Sequence, residues 1–500
     1  MKLILEAIEK YRTEGLPALV LLADQDKLLG ALPKDRSGLQ AKVQAVLKNQ
    51  ASKVLNDSLE LVSDGDQLVA IFQLPQKKGL NREDRLRLAA SRIGEWQKSR
   101  SLTRMALSSD QASPKEFRAL CEGFLISAYD FRKYKSEKKS EKNGNIEVVL
   151  LSSGDAVKRN AATLAETEAV CRQINVCRDL VNEPGSHLDP QDFAEYARKA
   201  AKEFGLTIKI RDEKKLQSDG YMGLWTVGKG SDRPPRMVTL GYDGGKAKSA
   251  IKRGPGSPHF VMVGKGVTFD TGGISIKPSQ GMWEMKCDMA GAATVLGALC
   301  AIAVLKLPVK VSAVLCLAEN RPGNAAVLPG DIFTAKNGKT IMVDNTDAEG
   351  RLILTDGLAE AGALGATHIV DLATLTGAIV RAIGPSIAGL FCNDAAYTQT
   401  LLKAADNAGE KFCALPLEEE YREYLDDPVA DMKNVGKQEA GAITAALFLQ
   451  EFVPAKTAWA HWDIAGTAFT TAPWKYYKPG GTGWGVKSLV EVARLLASPG

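Results

Sequence analysis

One stretch constrains this chain more than any other: Ile341-Met-Val-Asp-Asn-Thr-Asp-Ala-Glu-Gly-Arg351, followed at once by Leu352-Ile-Leu-Thr-Asp-Gly-Leu-Ala-Glu-Ala361. Ile341 to Val343 read as a buried strand ending at the turn-forming Asp344, and Leu352, Leu354, Leu358 and Ala361 repeat at helical spacing. Strand, loop and helix therefore follow one another. That order puts Asp347 and Glu349 beyond the carboxyl end of a strand, where open α/β sheets bind their ligands. Arg351 opens the helix, whose free N–H groups favour an anion. Read alone, the stretch also fits a plainer pattern, with Asp347 as a helix cap, Glu349 steadying the first turn and Arg351 as a surface charge.

The chain has 500 residues, more than one ordinary core organises, so two or three domains are expected. A formal net charge of +5 is small for this length and gives no reason to infer nucleic acid or a membrane surface. Eight cysteines stand singly, with no CxxC pair, which argues against a zinc cage or a disulfide scaffold and for a reducing compartment. Glu6 and Glu9 interrupt what would have to be an apolar signal core, and no run of 18 apolar residues occurs elsewhere. These features together predict a soluble, cytoplasmic protein with no membrane partner.

Residues 1–160 alternate apolar runs (Ala18 to Leu22, Leu68 to Phe72, Ile146 to Leu151) with helical stretches such as Arg82 to Gln97, which predicts an N-terminal α/β domain. The basic run Arg132 to Lys142 reads as a solvated loop, with a nucleic-acid contact as the alternative. Leu164, Val170, Cys171, Ile174, Cys177 and Val181 predict a linking helix over 161–184, which Asn182-Glu-Pro184 ends. Asp189 and Pro190 then supply an N-cap and first-turn proline for a helix that Gly205 stops. Strands are expected at Leu206 to Ile210, Arg236 to Leu240, Phe260 to Val263, Val311 to Leu317, Thr340 to Val343 and His368 to Leu372, with a buried helix from Asp288 to Leu305. That alternation predicts, for residues 185–500, a larger α/β domain whose mostly parallel central sheet is covered by helices.

A second polar cluster lies in Val263-Gly-Lys-Gly-Val-Thr-Phe-Asp-Thr-Gly-Gly-Ile-Ser-Ile-Lys277. It lacks the GxxxxGK[ST] order of a phosphate loop and instead offers Lys265, Asp270 and Lys277, with Asp288 following. Asp270, Asp288, Asp347 and Glu349 carry four negative charges, enough to balance two divalent cations, and cannot be buried together as anions without cations or protons. Oxygen donors with at most one nitrogen suit Mg²⁺, Mn²⁺ or Zn²⁺. His187, His259, His368 and His461 are too dispersed for a histidine site. A lysine ligates only when neutral, so one metal-bound lysine would leave Lys277 and Arg351 as the positive charges for an anionic intermediate and an anionic base.

Asn345-Thr-Asp-Ala-Glu-Gly-Arg-Leu352, with Val263 to Gly273 and Met285-Lys-Cys-Asp-Met-Ala-Gly291, resembles the leucyl aminopeptidase family, the di-metal cytosol aminopeptidases. Similar stretches continue at Arg178 to Pro184, Asp371 to Gly377, Asp431 to Asn434 and His461 to Thr467, so the likeness runs from about residue 165 to the end. The resemblance implies an N-terminal α/β domain and a larger catalytic α/β domain, assembled as a homohexamer that trims N-terminal residues, leucine above all, from peptides. Two divalent ions are implied, Mn²⁺ or Zn²⁺ with Mg²⁺ or Co²⁺ as alternatives, activating a bridging water. Asp270 and Glu349 would bridge them, Lys265 and Asp288 would complete the tighter site, and Asp347 the more exchangeable one. Lys277 would stabilise the oxyanion, and Arg351 would hold a bicarbonate acting as general base. Met285, Asn345, Ala348, Thr374, Leu375 and Gly377 would line the substrate pocket, with Met285 and Thr374 facing the first side chain. Some relatives also bind DNA, which keeps nucleic acid in view as an additional partner. A two-metal phosphoesterase is the other class these carboxylates could serve.

Overall fold

The apolar run Ala18–Asp24 is buried on both faces, which only the interior of a layered sheet allows. The structure, a computed structural model, describes residues 1–8, 17–24, 27–30, 32, 37–51, 59–64, 67–136, 146–244 and 257–497. In this sheet Ala18–Asp24 pairs in parallel with Gln67–Gln73 and Arg104–Ser108, and Glu147–Ser152 and Lys2–Ala7 extend it in parallel. Val20, Leu22, Ala70 and Phe72 meet the helices Arg82–Ser99 and Pro114–Ser127 on one face, while Leu19, Leu21 and Val69 meet Leu39, Val43 and Leu47 on the other. Lys2–Ala7 therefore form a strand. Of the basic run, residues 132–136 lie in a turn, and 137–142 fall outside the described residues.

The chain divides into two compact units, Met1–Cys171 with Ala472–Lys478, and Arg172–Thr471 with Pro479–Gly500. The helix Gly154–Asn182 runs through the division.

The second unit is built on an eight-stranded sheet. At its centre Ala458–Asp463, His368–Ala373, His259–Asp270 and Lys310–Asn320 run parallel, and antiparallel strands lie to either side of this group. Gly264 and Gly266 have no side chain where the helix Ala290–Val304 crosses: a Cβ on Gly264 would stand 2.5 Å from Ala292 Cα. On the other face Val261, Val263 and Val267 pack with Leu352, Ile353, Leu354 and Leu358 of the helix Glu349–Ala363. Met282–Val304 is the one stretch among the described residues long and apolar enough to cross a membrane, and it is buried inside this unit. Gly441–Gln450 is likewise a core helix.

Three local expectations are corrected. The strand after Lys339 is short, Thr340–Met342, and belongs to a separate three-stranded sheet with Ile332–Thr334 and Met432–Lys433. Asp347 and Glu349 thus follow a strand outside the central sheet, because its pairing is fixed by the distant segment around Met432. The buried helix expected from Asp288 begins at Ala290, after a single 3₁₀ stretch Met282–Cys287, and Met289 stands at its cap. Asp347 does not cap its helix either: Ala348 holds that position without a side-chain bond.

Candidate metal centre

Lys265 and Asp270 lie on the strand His259–Asp270, and the loop after it returns Lys277 toward that strand's end. Gly272 and Gly273 make the return possible with φ of +88° and +67°, a conformation that side chains with a Cβ rarely adopt. Asp288 closes the 3₁₀ stretch, and Asp347 and Glu349 come from the loop and first turn before Glu349–Ala363. All five residues expected to ligate, together with Lys277, meet in one cluster, in which Asp347 and Lys277 are half-buried and the others buried. Lys265 Nζ lies 2.9 Å from Asp288 Oδ2 and 2.8 Å from Glu349 Oε1. Lys277 Nζ lies 2.9 Å from Asp270 Oδ2 and also pairs with Asp347 Oδ1. Asp270, Asp347 and Glu349 each offer one oxygen within 4.8 Å of the others.

Burial and mutual repulsion leave their mark on the carboxyls. Burial pushes Glu349 up to about 8 and Asp288 up to about 6, with Asp270 adding to both and Lys265 opposing both. Asp347 is raised as well, by burial and by Asp270. Burial works against the ammonium of Lys265, yet Asp288, Glu349 and Asp270 outweigh it and hold its pKa above the ordinary lysine value. Three buried carboxylates and the half-buried Asp347 against two lysines leave a deficit of positive charge that divalent cations would make up. The donor set fits them: hard oxygens, one amine, and Glu349 Oε2, which is buried without a hydrogen-bond partner among the described residues.

Around these groups the chain supplies a second layer of bonds. Asn320 Nδ2 and Gly272 N both donate to Asp270 Oδ1 at 2.8 Å. Thr374 Oγ1 donates to Asp288 Oδ1 at 2.7 Å, and the Thr374 carbonyl accepts from Lys265 Nζ at 3.1 Å. Thr374 therefore supports the carboxylate cluster directly. Asn345 Oδ1 accepts from Asp347 N, fixing the loop as an Asx turn. Leu375 N and Thr376 Oγ1 donate to the buried Asp463, which anchors the loop leading to Gly377, the first residue of the helix Gly377–Ile383. Met285 sits half-buried on the 3₁₀ stretch, and Ala348 is half-buried beside Glu349. Arg351 is buried rather than a surface charge; its NH1 donates to Asn434 O at 2.8 Å while Nε has no partner among the described residues. Burial draws its guanidinium down to about 10, with Glu349 and Asp463 opposing.

The four histidines stay out of the cluster: His461 Nδ1 bonds Asp371 at 2.6 Å and His259 bonds Ser312 at 2.9 Å. Sequence reasoning missed Asn320, Asn434 and Asp463 as supports. Asn434 and Asp463 stand within stretches that carried the family likeness, but nothing local marked them as partners of residues some 90 positions away.

Residues 175–490 match the family model described as the cytosol aminopeptidase family, catalytic domain. A "Probable cytosol aminopeptidase" of Aquifex aeolicus is 39% identical over 498 residues, covering 98% of this chain and 97% of that protein. One of the same name from Streptomyces avermitilis is 44% identical over 381 residues, covering 75% of this chain and 72% of that protein. Among solved structures, the bottromycin maturation enzyme BotP in complex with Mn superposes with a TM-score of 0.82 at 32% identity, covering 97% of this chain and 100% of that one. A mutant of tomato leucine aminopeptidase gives 0.84 at 29% identity, covering 99% of this chain and 96% of that one.

Proposed function

Since the chain belongs to the cytosol aminopeptidase family and is a metal-dependent aminopeptidase, we propose that it releases single residues from free peptide amino ends, preferring leucine and similar apolar side chains, in the cytoplasm and as a homohexamer. The observation that carries the site assignment is the convergence of buried Asp270, Asp288 and Glu349 and half-buried Asp347 around Lys265 and Lys277, with Glu349 Oε2 left for a cation. Asp270 and Glu349 would each face two ions, Lys265 and Asp288 would complete the shell of one, and Asp347 that of the other. Mn²⁺ or Zn²⁺ suits these donors, as Mg²⁺ or Co²⁺ would less selectively. When bound, such ions act as Lewis acids toward water and the scissile carbonyl and anchor the substrate's amine.

The chain's own residues do the rest. Lys277 is less buried than Lys265, and Asp270 and Glu349 hold its pKa above the ordinary value against the pull of burial, so its ammonium stays charged for a developing oxyanion. Arg351, held through NH1, keeps Nε for an anion such as bicarbonate, which would accept the proton of the attacking water and return it to the leaving amine. Met285 provides an adaptable wall for the first side chain. The cytosolic setting is supported by the relatives' names.

Matched leucine peptides with free and acetylated amino ends, followed by mass spectrometry, test this reading. Stepwise loss of single residues from the free form alone is expected, slower when the first residue is acidic. Equal cleavage of both forms, or internal cuts, would overturn it.

A further inference from the structure

The segment Asp431-Met-Lys-Asn434 carried part of the family likeness and no role in the site, yet it holds the metal loop from behind. Asp431 Oδ2 accepts from Thr340 N and Oγ1 at 2.8 and 2.9 Å, and Asp431 N donates back to Thr340 Oγ1 at 2.9 Å. Met432 is fully buried in the core, and Met432–Lys433 pairs in parallel with Ile341 and Met342. This register delivers Asn434, itself fully buried, beneath the loop 344–348.

There the single side chain fills all its hydrogen-bonding positions. Its Oδ1 accepts from Asp344 N at 2.9 Å and Asn345 N at 3.3 Å, and its Nδ2 donates to Asn345 O at 2.8 Å and Ala348 O at 3.3 Å. The main chain adds two bonds: Asn434 N donates to Met342 O at 3.0 Å, and Asn434 O accepts from Arg351 NH1 at 2.8 Å. The bonds bracket Asp347 on both sides and reach the guanidinium four residues on. No other amino acid offers two acceptor and two donor positions on so short a stem: aspartate lacks the donors, and glutamine is one methylene too long.

We propose that Asn434 is a positioning residue that sets the Asp347 loop and the Arg351 guanidinium as one unit, so that one ion's ligand and the anion holder keep their spacing. The inference rests on the roles proposed above for Asp347 and Arg351. The bonds lie behind the ligands, as the outer partners of metal ligands do, whose loss lowers metal affinity or activity by roughly 10- to 100-fold.

The test uses the full-length enzyme with Asn434→Ala and Asn434→Asp, the latter keeping shape and both acceptor positions while setting an anion against two carbonyls. Mn²⁺ binding to metal-stripped protein, followed by electron paramagnetic resonance of free Mn²⁺, and the bicarbonate dependence of turnover are measured beside Asp347→Ala. Both Asn434 variants are expected to bind the weaker ion roughly 10- to 100-fold less tightly and to need more bicarbonate for half-maximal activation. If Asn434→Ala does not fold, Asn434→Asp is read alone by the same criteria. Wild-type Mn²⁺ affinity and bicarbonate response in a folded variant, while Asp347→Ala is defective, would refute the positioning role alone. Wild-type behaviour of Asp347→Ala would instead refute the site reading on which it rests.

Discussion

Replacing Thr374 by valine removes one hydroxyl and keeps the β-branched shape, and that hydroxyl is the donor to Asp288 Oδ1 at 2.7 Å. The acceptor is a carboxyl only 4% exposed, so no bulk solvent replaces the lost bond. A hydrogen bond to a charged group contributes about 1.5–3 kcal/mol, which corresponds to about 10- to 150-fold in an equilibrium constant. The bond favours the ionised, correctly aimed form of Asp288, so its loss should appear in the affinity for the ion that Asp288 would hold. The second contact of residue 374, from Lys265 Nζ to its carbonyl, uses the main chain and survives the change. Mn²⁺ titration of metal-stripped protein, without substrate, separates this effect from any contact with the substrate side chain. Thr374→Val is expected to weaken the tighter ion by about 10- to 100-fold, and Thr374→Ser, which keeps the hydroxyl, to stay near wild type. Equal affinities in valine, serine and wild-type proteins would show that the Thr374 hydroxyl does not support Asp288.

Two further outcomes follow from particular contacts. Gly350→Ala would bring a Cβ to 2.7 Å from Lys265 Nζ, which Asp288, Glu349 and the Thr374 carbonyl hold in place; a loss of about 1–3 kcal/mol in stability is expected by denaturant unfolding, with lost turnover, and an unchanged midpoint and rate would count against it. Asp356 accepts from Leu224 N at 2.7 Å but leaves Oδ1 without a partner among the described residues, and burial raises its pKa from 3.8 to about 7. The carboxyl is thus easier to protonate when folded, a stabilisation fully present below 3.8 and lost as pH rises to about 7. Wild type should therefore lose stability relative to Asp356→Asn across that window, measured by urea unfolding at both ends; a constant difference would show that the group does not titrate there.

Much of this was legible in the sequence because it depends on local periodicity. The Asp189 cap, Pro190 and Gly205 bound a helix where expected, Pro190–Phe204, and Glu349 stands in the first turn of the helix that the leucine spacing marked. Pairing between distant segments was not legible. Nothing near Thr340–Met342 shows that its partner is Met432–Lys433, so its sheet was misassigned. Ala388–Cys392 and Ala458–Asp463 escaped notice because the first is short and the second carries His461 and Asp463, polar residues whose burial makes sense only beside Asp371 and Thr376. The plain alternative for Asp347 as a helix cap could be rejected only once Ala348 was seen at the cap position. Asn434 was invisible for the same reason: its importance lies in four bonds to a loop about 90 residues earlier in the chain.

In the proposed site Asp270, Asp288, Asp347, Glu349 and Lys265 hold catalytic cations beside Lys277. Hydrolysis of leucine p-nitroanilide by purified protein, stripped of metal and resupplied with Mn²⁺ or Zn²⁺, tests it most directly when run beside Asp347→Ala and Lys277→Ala. Activity is expected to disappear on stripping, to return with the ion, and to collapse in both variants although each remains folded. Turnover that survives stripping, or that persists at the wild-type rate in folded Asp347→Ala and Lys277→Ala proteins, would contradict it.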